Sequence, residues 1–190
     1  KAIATAGDVK DTLALADATN NLGNVYKEMA LFSQSIDKYF EALRLWELKG
    51  DSSGMSIAYG SIGLAYFYQK DYARALEYSM KHLMLSEKRG DLWEMAKMCN
   101  NIAQIYNSRQ VYDSALIFHR RSLNLHRKID LATGEADACF NIASTLLYMG
   151  ERDSALWYSA RAVEIAQEKG ITVPPSYYVV KANVQQAIGD

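Results

Sequence analysis

Proline is nearly absent from the chain: 190 residues hold 2, and none lies before Pro174. A sequence without the residue that interrupts helices is free to run long ones. Cysteine is as scarce, with Cys99 and Cys139 alone. Two thiols so placed make neither a disulfide framework nor a zinc site. No apolar run approaches the roughly 18 residues that span a bilayer, and Lys1 to Lys10 lacks the apolar core of a signal peptide. No membrane insertion by this segment is therefore expected. Neither sign of charge is in excess: 21 Lys and Arg face 22 Asp and Glu, for a net charge of -1. No global field draws nucleic acid to the chain, and none is expected as a partner of this segment.

What the chain does have is an internal repeat. Segments opening Asn21-Leu22-Gly23, Ser61-Ile62-Gly63, Asn101-Ile102-Ala103 and Asn141-Ile142-Ala143 begin 40 residues apart, without gaps. The same offset aligns Tyr26, Tyr66 and Tyr106 with Leu146, and a small-residue column of Ser35, Ala75, Ala115 and Ala155. It also aligns Ile36, Leu76, Leu116 and Leu156, then Leu43, Leu83, Leu123 and Val163, then Leu45, Leu85, Leu125 and Ile165. Within a copy the apolar residues recur at three and four, as in Ala18, Leu22, Val25, Tyr26 and Met29. That is helical spacing.

Breaks between a first and a second helix are expected near Ala30, Lys70, Gln110 and Gly150. Breaks between copies are expected at Gly50-Asp51, Gly90-Asp91, Asp130 and Gly170, where glycine permits a left-handed residue and Asp caps the next helix. The organisation is one array over 1-190, with repeats at about 11-50, 51-90, 91-130 and 131-170. Residues 1-8 read as the tail of a preceding second helix ending at Gly7-Asp8, and 174-188 as an extra first helix begun by Pro174-Pro175. With Lys1 and not Met at the start, the chain reads as a fragment of a longer protein. A single helix pair cannot bury its own apolar faces, so the copies must share a core.

The pattern resembles the tetratricopeptide repeat family. Leu22-Gly23 with Tyr26, Ile62-Gly63 with Tyr66, and Ile102-Ala103 with Tyr106 match its Leu-Gly-x-x-Tyr, and Ala115 its small residue on the second helix. The resemblance covers about residues 12 to 170 and implies an all-α, right-handed superhelical α-solenoid of antiparallel helix pairs. It departs in its 40-residue period, in lacking the helix-ending proline, and in Leu146 at the tyrosine position. The long period is similar to that of extended members in bacterial regulators and cargo-carrying scaffolds.

The resemblance implies that first helices line the working face. Opposite an expected packing side of Leu22, Tyr26 and Met29, the helical wheel puts Asp17, Asn20, Asn24 and Lys27 in the first copy. Matching stripes are Ile57, Gly60, Leu64 and Phe67 with Tyr68, then Lys97, Asn100, Gln104 and Asn107, then Asp137, Phe140, Ser144 and Leu147 with Tyr148. Amides both donate to and accept from a peptide backbone, and apolar residues between them supply affinity. The candidate groove residues are Asn20, Asn21, Asn24, Leu64, Phe67, Tyr68, Asn100, Asn101, Gln104, Phe140, Asn141 and Tyr148.

Asn21, Asn101 and Asn141, with Ser61 in their column, stand where the resemblance implies contact with ligand backbone. The other reading is that they bond the neighbouring helix and fix stacking. For Leu64, Phe67, Phe140 and Leu147 the other reading is burial.

Catalytic chemistry finds no purchase. His119 and His126 are seven apart on one helix with no third ligand a turn away, and His82 lies in another copy. The basic run of His119-Arg120-Arg121 and His126-Arg127-Lys128 reads as a solvated face, with a docking patch for an acidic partner as the other reading, and the cysteines as core packing. No phosphate loop, nucleophile elbow or zinc-protease motif is present. The expectation is a scaffold that binds protein or peptide, with no enzymatic activity, no metal and no cofactor. The alternative is the ligand-sensing arm of a bacterial signalling or transcription regulator. Self-association through uncovered helix faces is open, and the location is cytoplasmic by preference, with an extracytoplasmic sensor region as alternative.

Overall fold

A computed structural model describes residues 6–179 and residue 182. Among these the chain forms eight helices joined by short turns: α1 (Ala6–Glu28), α2 (Phe32–Lys49), α3 (Ser52–Tyr68), α4 (Tyr72–Arg89), α5 (Leu92–Ser108), α6 (Tyr112–Lys128), α7 (Ala132–Met149) and α8 (Arg152–Glu168). A further helical turn covers 175–179. No strand occurs among the described residues. The array divides into two compact units, one ending at Arg89 and the other beginning at Gly90. In the first, α1 packs on α2, α2 on α3 and α3 on α4; in the second, α5 packs on α6, α6 on α7 and α7 on α8.

The turns follow one rule. Ala30, Gly50, Lys70, Gly90, Gln110, Asp130, Gly150 and Gly170 all have positive φ, so a left-handed residue recurs every 20 positions. Around Ala30, Leu31 N–H reaches Tyr26 C=O at 2.9 Å and Ala30 N–H reaches Lys27 C=O at 2.9 Å. This is the paired closure that satisfies the last carbonyls of a helix. The same pair of bonds closes the helices before Gly50, Lys70, Gln110, Asp130, Gly150 and Gly170. Asp51 then accepts from Ser53 and Gly54 N–H, and Asp91 from Glu94 N–H, as side-chain caps. Asp130 does not cap; it occupies the left-handed position itself at φ 51, and α7 starts from Leu131 without a side-chain cap.

One expectation at the ends of the array needs correction. Gly7-Asp8 ends no helix, because α1 runs through both from Ala6; residues before Ala6 lie outside the described ones. At the other end the turn at 175–179 is present, and the remainder of the expected helix over 174-188 lies outside the described residues apart from residue 182.

The aligned columns form the core. Ser35, Ala75, Ala115 and Ala155 are fully buried, and Leu43, Leu83, Leu123 and Val163 nearly so. Glycines sit where an aromatic crosses closely. A Cβ on Gly23 would lie 2.6 Å from the Tyr39 ring, and one on Gly54 2.3 Å from the ring of Trp46. Gly134 and His126 repeat the latter arrangement 80 residues on, also at 2.3 Å. The expected packing side of α1 is wrong in part: Leu22 and Met29 are exposed at 41% and 60%, while Ala16, Thr19, Asn20 and Gly23 are buried. α1 meets its own second helix through small residues such as Gly23, and of the residues expected on the outer stripe Asn20 is buried.

Candidate functional site

In the first unit the face carried by α1 and α3 is mixed. Asn20 is buried, and its Oδ1 finds no hydrogen-bond partner among the described residues. Asn24 is half-buried and accepts from the Tyr39 hydroxyl at 2.8 Å, so its carbonyl is already used within the pair. Asn21 is exposed. On α3, Ile57 and Leu64 stand exposed at 52% and 38%. Phe67 is half-buried, its ring 6.0 Å from Tyr68 and 5.8 Å from Tyr72. Gly60 leaves room for the buried His82 ring, whose Nδ1 would lie 2.7 Å from an added Cβ.

Tyr68 and Tyr148 are exposed, at 51% and 69%, and each also stacks on a neighbouring ring. Tyr68 stacks on Phe32 at 5.6 Å and Tyr148 on Tyr112 at 5.8 Å. Each joins the end of a first helix to the start of the preceding second helix, 36 residues back, so both are stacking contacts at the turn edge.

The asparagines of the second unit serve stacking in large part. Asn141 Nδ2 donates to Asn100 Oδ1 at 2.8 Å, tying α7 to α5. About two turns further along α5 and one along α7, Asn107 Nδ2 donates to Thr145 Oγ1 at 2.9 Å, with His119 Nε2 3.4 Å from the same amide. Burial pushes His119 down to about 4, so it stays neutral as part of this packed group. Phe140 is also engaged, its ring stacked 4.7 Å from Tyr177. The Tyr177 hydroxyl donates to Asp137 Oδ1 at 2.6 Å, and burial, then that bond, holds the phenol well above its usual range. Asn101 and Gln104 make no side-chain hydrogen bond among the described residues.

The second unit also has a cleft that helical spacing alone did not show. It has a volume of about 230 Å³ and is lined by Trp93, Lys97 and Asn100 of α5, His126 of α6, and Thr133 and Asp137 of α7, among others. Trp93 is half-exposed, with Lys97 Nζ 5.0 Å above its ring and 3.5 Å from Glu94. His126 is half-buried; burial lowers its pKa and nearby Asp137 acts against that. Lys97 and Asp137 share one column of the repeat with opposite charges. That column, with Trp93 one turn before Lys97, is the signal in the sequence by which the cleft could have been found. Both cysteines are fully buried, and burial pushes the Cys139 thiol up to about 11, as packing residues. The basic run is split: His119 is buried, Arg120 exposed, and Arg127 pairs with Glu135 at 2.9 Å. Among the described residues no group of three His, Cys, Asp or Glu is placed to hold a metal, and no helix is long and apolar enough to cross a membrane.

Family models described as tetratricopeptide repeat match residues 14–88, 95–129 and 136–169. The chain belongs to the tetratricopeptide repeat family, with its all-α solenoid of helix pairs. Among solved structures it is similar to BtubC from P. vanneervenii, at TM-score 0.82 and 20% identity, over 94% of this chain and 75% of that one. It is also similar to aspartyl phosphate phosphatase F from Bacillus subtilis, at TM-score 0.82 and 16% identity, over 93% of this chain and 48% of that one. A third is a signal transduction ATPase with numerous domains from Pyrococcus horikoshii that carries a tetratricopeptide repeat sensor, at TM-score 0.77 and 15% identity, over 93% and 26%. At these identities the likeness is one of fold. No curated protein matches in sequence.

Proposed function

We propose that this chain is a protein-interaction scaffold that binds a peptide or an extended segment of a partner protein on the faces carried by its first helices. The observation that carries this reading is the cleft in the second unit, where a half-exposed indole, an ammonium and a carboxylate converge at Trp93, Lys97 and Asp137. Structural helices seldom need an exposed tryptophan beside both signs of charge; a recognition surface uses such anchors. In the first unit the exposed Ile57 and Leu64 offer apolar contact. Asn21, Asn101 and Gln104 are the amides not engaged in packing and are the ones we assign to a partner. Asn24, Asn100, Asn141, Phe140, Tyr68 and Tyr148 act chiefly in holding the repeats together.

The reading assigns no catalysis to this chain, and the likeness to a phosphatase carries fold alone. A second reading, a ligand-sensing arm of a regulator, draws support from the tetratricopeptide repeat sensor of the Pyrococcus protein.

Panning a displayed random-peptide library on the chain tests the proposal. Selected peptides are expected to lose at least tenfold in affinity, about 1.4 kcal/mol, against Trp93→Ala and Lys97→Ala variants whose circular dichroism is unchanged. Peptides indifferent to both variants and to Leu64→Ser would remove the first-helix faces from the function.

A further inference from the structure

One column of the second helices faces water in every copy: Asp37, Glu77, Ile117 and Trp157 are all exposed. α3 packs on α2 and α7 on α6 without covering it, so its exposure belongs to the repeat itself. Asp37 and Glu77 are what such a position ordinarily carries. In α8 it carries an indole, 58% exposed. That ring is also held in place. In the next column Tyr78 stacks on Tyr66 at 5.8 Å and Phe118 on Tyr106 at 5.7 Å, whereas the fourth copy has Leu146 where those first-helix tyrosines stand. Tyr158 there meets the Trp157 ring at right angles, with centroids 4.8 Å apart. The contact restricts the indole, so little side-chain freedom remains to be lost when a partner binds.

Asp153 stands one turn before Trp157, and with Ser154 and Tyr158 the two line an open hollow of about 340 Å³. Asp153 makes no ion pair or side-chain hydrogen bond among the described residues. The stripe continues through Arg161, Glu164 and Glu168, at steps of four, three and four. Arg161 is engaged by Glu164 at 2.6 Å and lies 3.9 Å from Glu168. Three carboxylates against one guanidinium leave the stripe a net charge of -2, with Asp153 the carboxylate still without a partner. We infer that this face of α8 is a docking site for an arginine side chain of a partner protein, its guanidinium flat on the Trp157 ring and one edge turned to Asp153. Side chains four apart on a helix are neighbours, about 5–6 Å between Cβ atoms. A planar guanidinium can stack on one and fork to the other at once, which the point charge of a lysine cannot. The site lies on a second helix, so it is additional to the first-helix faces and is tested apart from them.

NMR of the chain carrying 15N-labelled tryptophan is the test. Trp46, Trp93 and Trp157 give one indole N–H signal each, and Trp157→Phe assigns the third. The probe is the peptide acetyl-Gly-Arg-Leu-Arg-Gly-amide, titrated to about 5 mM, the range of affinity that one side chain can supply. The Trp157 signal is expected to move and saturate while the Trp46 signal stays. Replacing both arginines by citrulline, which keeps the shape and removes the charge, should weaken binding about tenfold. The lysine peptide should bind more weakly than the arginine one. Asp153→Asn, at an exposed position, should weaken the arginine peptide about threefold with circular dichroism unchanged. A Trp157 signal that does not move, that moves equally with citrulline, or that is indifferent to Asp153→Asn overturns the site. Equal binding of the lysine peptide overturns the choice of arginine. Movement of the Trp93 signal alone puts the cation in the first-helix cleft and overturns the assignment to α8.

Discussion

Replacing Gly54 by alanine sets two physical effects against each other at one atom. In an exposed helix interior, glycine to alanine gains up to about 1 kcal/mol. Here the new Cβ would sit 2.3 Å from Cδ1, Cγ and Nε1 of Trp46, a ring 2% exposed and therefore unable to swing into water. The ring or the α2–α3 packing must shift by about 1 Å or more, and overpacking of this kind costs about 1–3 kcal/mol. With three ring atoms in the way the upper end applies, so the net loss is about 2 kcal/mol. At about 2.1 cal/mol/K of unfolding entropy per residue, that lowers the melting temperature by about 5 °C if all 190 residues melt together. It lowers it by about twice as much if the first unit melts alone.

The assay is thermal and urea unfolding followed by circular dichroism, within a double-mutant cycle. Trimming the ring with Trp46→Leu should recover most of the Gly54→Ala loss, a coupling of 1–2 kcal/mol as an order-of-magnitude figure. Gly50→Ala is the control. Its φ of +68° makes alanine strained by about 1–2 kcal/mol, yet nothing lies within 4 Å, so its cost should add to Trp46→Leu without coupling. A stabilised Gly54→Ala, or a cycle that is additive, would refute the account of why glycine stands there.

Other substitutions test the polar core. Ser35 Oγ is fully buried with no hydrogen-bond partner among the described residues, where the other three copies have alanine; Ser35→Ala should raise stability by about 1 kcal/mol in urea unfolding. Asn20 Oδ1 holds in the first unit the place that Asn100 Oδ1 holds in the second, but Ser61 stands where Asn141 donates. Ser61→Asn should therefore supply the missing bond and stabilise by about 0.5–1.5 kcal/mol, with an Asn20→Ala background abolishing the gain. His119 stays neutral to about pH 4 when folded, whereas the unfolded chain takes up that proton near pH 6.5. Between those values the unfolded state binds more protons, so stability falls as pH drops, by about 1.4 kcal/mol per unit and roughly 3 kcal/mol in all, levelling below pH 4. His119→Gln should flatten that window relative to the parent in a pH series of urea melts.

The 40-residue register, the helical class, and the placing of turns at Ala30, Gly50 and their equivalents were determined by the sequence alone. Repetition makes them legible, because each copy must bury the same columns and close its helices at the same points. The repeat also marked the small residues of Ser35, Ala75, Ala115 and Ala155 as interior. What a wheel could not determine was which of a first helix's faces stays wet. A first helix is buried on two sides, against its own second helix and against the preceding one, so a single apolar direction misassigns residues between them. In α1 the buried side is the one toward α2, so Asn20 lies inside, while Leu22, in the column that α3 and α7 bury against the preceding helix, is exposed.

Tertiary structure likewise decided the fate of the amides. Whether an asparagine faces a partner or a neighbouring helix depends on what stands 41 or 38 residues away, Asn141 for Asn100 and Thr145 for Asn107. The same holds for Phe140, covered by Tyr177, and for the cleft at Trp93, whose walls come from three helices of the second unit. Periodicity reports which positions are equivalent. Only packing in three dimensions decides which members of a column are satisfied from within and which are left for another molecule.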